Sequence, residues 1–182
     1  MKFTENVRAT AESFVKKIQA AEKAVADHQR DGITEYSTAR YQEILFELQE
    51  KASEVKREGV AAVNAIIDAY KAALPGRFAA NGAELNTGDI ALLSSGYKLT
   101  QADLEAMFDR YAPNNHTMLR AILDYCDEHG IQVARVYYGE KAKAAAAESL
   151  KQYALNCFHR PDYGMETEAY FAQIFPDALA GE

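Results

Sequence analysis

Cys126 stands three residues from His129, and Cys157 two residues from His159; thiolates and imidazoles are the donor set of a zinc site. Three residues keep two side chains on one face of a helix. Two residues turn them about 200° apart, so Cys157 and His159 could share a metal only if their helix unwound near Pro161. Buried thiols beside surface histidines is the better reading, and no metal or cofactor is expected. Ser94 and Ser95 carry hydroxyls, yet no Gly-x-Ser-x-Gly turn surrounds either. Cys126 has no neighbour that would lower its pKa. Glu47 with Glu50, and Asp124 with Asp127 and Glu128, fall on charged helix faces where solvation accounts for them. Neither a Gly-x-x-x-x-Gly-Lys nor a Gly-x-Gly-x-x-Gly loop occurs. The chain is therefore not expected to be an enzyme.

The polar cluster with most chemical content is Asn114-Asn115-His116-Thr117 with Arg120. A helix beginning there offers free backbone N–H groups and the positive end of its dipole, which suit a phosphate or carboxylate. Arg120 lies about one turn in, and Arg110 closes the preceding helix. An anionic small molecule such as a nucleotide is one candidate ligand. Simple capping by the two asparagines is the competing explanation.

The elements that would carry these residues are helices. Val7, Ala11, Phe14, Ile18, Ala21 and Val25 step by four and three, and the rhythm resumes as Tyr41, Leu45, Leu48, Ala52 and Val55, then continues through Ala62, Ile66, Ala69 and Ala73. A repeat of about 3.5 residues keeps one stripe against a partner helix. The spacing predicts a first helix capped by Thr4 and running to Arg30, a turn at Asp31-Gly32, and a second helix from Thr34 to Leu74, stopped by Pro75-Gly76. The second would be about 20 Å longer. From Val60 to Leu74 apolar residues cover almost every side, which predicts burial all round.

After a polar linker from Gly76 to Gly88 the helices are short. Thr100 with Asp103 has capping-box spacing, and Leu99 with Leu104 staple spacing. Leu104, Met107, Phe108 and Tyr111 form one apolar face; Leu119, Ile122, Leu123 and Cys126 form the next, ended by Gly130. Residues 131–133 and 136–138 could be short extended segments. A helix from Glu140 to His159 follows, then one carrying Tyr170, Phe171, Ile174 and Phe175. The expected fold is all-α with minor short strands: a long antiparallel hairpin, residues 1–75, and a small helical lobe, residues 76–182, packed around the end of the second long helix.

The sequence carries 27 acidic and 20 basic residues, a formal charge of -7. That field disfavours nucleic acid and anionic membrane as partners. Met1 to Asn6 lacks a signal peptide's apolar core, and no apolar run approaches the roughly 20 residues of a membrane span, so a cytoplasmic protein is expected. Ile44 and Phe46 lie off the Tyr41-Leu45-Leu48 seam, where a two-helix stalk cannot cover them. Tyr41, Ile44, Leu45, Phe46 and Leu48 are therefore the expected contact of a homo-oligomer.

Gly88-Asp89-Ile90-Ala91-Leu92-Leu93-Ser94-Ser95-Gly96-Tyr97-Lys98-Leu99-Thr100, followed by Asn115-His116-Thr117-Met118-Leu119-Arg120, resembles uncharacterised helical proteins of tailed phages and prophages of Gram-positive bacteria. The resemblance spans residues 33–130 and rests on caps and core positions. It implies a viral origin and host-cell cytoplasm, and it brings no functional residues. Two expectations follow. One is a non-enzymatic accessory protein that oligomerises through its hairpin and binds a protein partner, in virion assembly or on a host factor. The other is a counter-defence sponge that sequesters a nucleotide immune signal between subunits.

Overall fold

A computed structural model of the chain describes residues 2–160 and Leu179; the helix expected around Tyr170 to Phe175 lies outside them. The fold is all-α: α1 (Phe3–Glu35), α2 (Thr38–Arg77), a 3-10 turn (Gly82–Glu84), α3 (Thr87–Ser94), α4 (Gln101–Tyr111), α5 (His116–His129) and α6 (Glu140–His159). These form two compact units, residues 1–72 with 142–182 and residues 73–141. The expected lobe of 76–182 is thus corrected, because α6 joins the hairpin.

In the first unit α1 and α2 run antiparallel. Phe3 stacks on Tyr70 with ring centroids 3.8 Å apart, Lys56 bridges to Glu22 at 2.6 Å, and His28 stacks on Tyr41 at 4.8 Å. Val7, Ala11 and Ile18 are buried as the seven-residue rhythm requires, with Val15 rather than Phe14 beside them. Phe14 turns instead to Phe158 of α6, edge-on at 6.3 Å. Buried Ala147, Leu150, Ala154 and Phe158 give α6 its packing stripe, and Lys71 reaches Glu148 at 3.2 Å. A β-carbon on Gly59 would stand 3.1 Å from both Phe14 and Phe158. The glycine is what lets three helices meet at that level.

Several expected boundaries differ. Lys2 rather than Thr4 precedes the first turn; its N–H donates to the Glu5 carboxylate at 3.3 Å, and Thr4 is buried inside the helix. Asp31-Gly32 is no turn: α1 continues to Glu35, and the chain reverses at Tyr36, which is extended (φ -123°, ψ 155°). Gly32 serves close approach, since a β-carbon there would fall 2.7 Å from the His28 ring and 3.1 Å from Tyr41. Pro75 lies within α2, which ends at Arg77. Proline removes the N–H that would donate to the Lys71 carbonyl, but the turn after it still closes, with Phe78 N donating to the Leu74 carbonyl at 3.0 Å. With 33 and 40 residues, the helices differ by about 10 Å, not 20. Nor is the segment from Val60 to Leu74 buried all round. Val63, Ile67, Tyr70 and Leu74 form one buried stripe, one residue on from the expected Ala62, Ile66, Ala69 and Ala73, because the larger side chains take the packed face while Ala61, Ala65, Ala69 and Ala73 face outward; alanine favours helix at little apolar cost.

The second unit is built on α4 and α5. Leu99, Leu104, Met107 and Phe108 pack with Leu119, Ile122, Tyr125 and Cys126. Each helix starts where a side chain meets its free N–H groups. Thr100 Oγ accepts from Asp103 N at 3.3 Å while the Asp103 carboxylate accepts from Thr100 N at 2.9 Å. Asn115 Oδ1 accepts from Met118 N at 2.9 Å. Gly130 ends α5 in the left-handed conformation, φ 66°, which its missing β-carbon permits. Residues 131–133 and 136–138 are not strands: no extended partner lies beside them among the described residues, and Ile131, Val133 and Tyr137 pack on the core cluster instead.

Candidate functional site

The start of α5 has its anion already. Thr117 Oγ donates to the Glu84 carboxylate at 3.1 Å, and Asn81 Nδ2 donates to it at 3.2 Å. Asn115 Nδ2 donates to the Glu84 carbonyl at 2.7 Å, so one asparagine caps α5 and ties down the 3-10 turn together. Thr117 Oγ also accepts from Asn81 N at 3.0 Å. A carboxylate of the chain itself thus stands at the start of α5, held by side-chain donors, while the Met118 N–H is taken by Asn115.

The cations expected there are turned to other acceptors. Arg120 Nη1 lies 3.5 Å from the Phe78 carbonyl, and Arg110 Nη1 donates to Asp89 at 2.7 Å. His116 stacks obliquely on Phe78 at 4.3 Å, with Nδ1 3.4 Å from the Tyr137 hydroxyl. Asn114 is exposed. Asn115 and Thr117 are thus brought together around Glu84, while Arg110 joins a second cluster. There Asp89, 8% exposed, accepts from both Arg110 and the Tyr111 hydroxyl, the latter at 2.5 Å. Burial first, then the bond to Asp89, pushes the Tyr111 phenol upward; the Asp89 charge raises Arg110. Sequence reasoning missed Glu84 and Asp89. Their signal was present: Asn81 with Glu84, and Asn86 with Asp89, repeat the spacing of Thr100 with Asp103.

Among the described residues no group of three His, Cys, Asp or Glu side chains is placed to hold a metal ion. Burial pushes the Cys126 thiol up, and His129 Nδ1 donates to the Tyr125 carbonyl at 3.0 Å with its ring stacked on Tyr125. Ser94 Oγ donates to the Ile90 carbonyl at 2.8 Å and Ser95 Oγ to that of Leu92 at 3.0 Å. None of these groups has the partner a nucleophile needs.

No known family model, curated protein or solved structure matches this chain. Its own geometry must carry the reading.

The five residues expected at an oligomer contact do not form one surface. Tyr41 is held by His28, whose Nε2 donates to the Tyr41 carbonyl at 3.0 Å. Leu48 is half-buried toward α1 beside Ala20, Ala21 and Ala24. Leu45 is half-buried, as is Ile44, but Phe46 is 65% exposed. Two residues of helix separate Ile44 from Phe46 by about 200°, so a single flat contact covers one of them and not both.

The carboxylates along α4 make a pH dependence. Asp103 is held below its ordinary 3.8 by the Thr100 hydroxyl and N–H, Asp109 by a double bond pattern to Arg135 at 2.7 Å, and Glu105 by the Ala134 N–H. A carboxylate lowered on folding adds stability that is complete above its unfolded pKa and disappears as pH falls through the folded one. The thermal midpoint is expected to be flat from neutral pH down to about pH 4.5 and to fall below about pH 4. Calorimetry across that range checks it, and Arg135→Ala should shrink the fall.

Proposed function

We propose that this chain is a non-enzymatic accessory protein, of the tailed-phage kind its second half resembles, that works by association through its hairpin and by binding a protein partner. The observation that carries the reading is the outer part of the hairpin. Along residues 19–31 of α1 and 38–58 of α2 no side chain is fully buried, and Ile44, Leu48 and Val55 are each only half-buried. Two helices form a single layer, and a layer needs a second one to close its core. Covering one such aliphatic or aromatic side chain contributes roughly 1.5–3 kcal/mol. The nucleotide-sponge reading has less support, because Asn115, Thr117 and Arg110 already hold Glu84 and Asp89.

Light scattering tests this. The unmodified protein is expected to exceed the monomer mass at tens of micromolar. Ile44→Glu is expected to dissociate it with its helical circular dichroism intact. A monomer for the unmodified protein would remove the proposal.

A further inference from the structure

We infer that the partner of this hairpin is a second copy of the same chain, its α2 laid antiparallel on α2 across a two-fold axis near the level of Gln49 and Glu50. The inference rests on the association proposed above and adds its orientation and register.

Ile44, Leu48, Lys51 and Val55 recur at four, three and four, which places them on one stripe of α2. Leu48, Lys51 and Val55 line a shallow groove with Lys17, Ala20 and Ala24 of α1. The alanines leave the groove open for a third helix. Ile44, Leu48 and Val55 are each half-buried by the hairpin alone, so the apolar floor is incomplete. Phe46 points to the other side and takes no part.

Charges beside this stripe settle what suits it. The exposed charges nearest the stripe are Arg40, Glu47, Lys51 and Glu58; Glu43, Glu50 and Glu54, also exposed, lie further round the helix. The signs of the nearest four read plus, minus, plus, minus, and they are spaced almost evenly about one point. Antiparallel pairing around residue 49 sets Arg40 against the second copy's Glu58, Glu47 against its Lys51, and Ile44 against its Val55. Parallel in-register pairing would set each of the four charges against its own likeness. Like charges across a helix seam select against that arrangement. A surface that is its own complement about one point is what a two-fold contact requires, and a foreign partner would not require it. Arg40 meanwhile holds Glu43 at 2.6 Å within its own helix, an exposed pair that re-forms at little cost.

Charge reversal in two separate chains provides the test. Glu47→Lys and Lys51→Glu each place like charges across the axis twice, and each alone is expected to weaken the dimer at least tenfold. Mixed in equal amounts, they regain opposite charges at both crossings. Native mass spectrometry should then find a dimer holding one chain of each kind, near the strength of the unmodified one. The pair that Glu47 and Lys51 could form within one helix is broken in both variants and stays broken on mixing, so recovery cannot come from it. Circular dichroism confirms that both variants are folded. If the unmodified chain is a monomer, association and register fall together. If it is a dimer, and the two variants dimerise undiminished or mix at random, the register is overturned while association stands.

Discussion

Replacing Ile18 by aspartate is expected to cost about 3–5 kcal/mol, enough to unfold much of the hairpin unit at room temperature. Ile18 is fully buried at the last level before the outer stretch, in the same stripe of α1 as Val7, Ala11 and Val15. An aspartate there loses its water, and Lys56, the cation one turn away across the seam, already holds Glu22 at 2.6 Å, so the carboxylate is left with its desolvation cost. Leu45→Asp is the informative contrast. Leu45 occupies an equivalent place in the seven-residue rhythm but lies in the outer stretch, where it is only half-buried. Its carboxylate can turn to solvent, and the loss should be nearer 1 kcal/mol. Urea denaturation followed by circular dichroism measures both. Equal losses would mean that the hairpin is packed uniformly along its length, against the burial described above.

Leu104→Ala is expected to destabilise the second unit by about 2–5 kcal/mol. Leu104 is fully buried among Leu99, Met107, Phe108, Leu119 and Ile122, and it follows the Thr100 capping box that fixes where α4 begins. Rigid caps on α4 and α5 leave little freedom to collapse into the space, which puts the cost toward the upper part of that range. Leu92→Ala, at a position 42% exposed on α3, should change stability by less than about 0.5 kcal/mol. Thermal melts of the two variants separate a packed cluster from a loosely assembled one, in which the two losses would be similar.

The fold was largely legible because its strongest signals are periodic. The apolar rhythm of Val7, Ala11 and Ile18 is a property of a helix and its neighbour, and so is the cap at Thr100 or Asn115; each is local and each is found where it was read. Glycine and proline misled, because their meaning depends on what lies opposite. Gly32 reads as a turn, yet it makes room for His28 and Tyr41; Gly59 likewise makes room for Phe14 and Phe158. Pro75 reads as a stop, yet α2 tolerates it two residues from its end. The place of α6 beside the hairpin was not legible, since an alanine-rich stripe does not say which helix it will meet. At the start of α5 the donors were legible but their acceptor was not. Glu84 comes from a 3-10 turn more than 30 residues earlier, and no local pattern connects the two.

The uneven burial along the hairpin also sets how the protein breathes. Amides of residues 19–31 and 38–58 are protected by helical hydrogen bonds and a half-covered seam, whereas those near Val15, Val63 and Ile67 lie over a three-sided core with α6. In a single copy of the chain, opening the outer stretch exposes little apolar surface that is not already wet, so it can occur without dismantling the inner core; association through that stretch raises its cost. Hydrogen exchange in the outer stretch is then governed by a sub-global opening of lower free energy than global unfolding. Proteases would meet the chain in that partly opened form first.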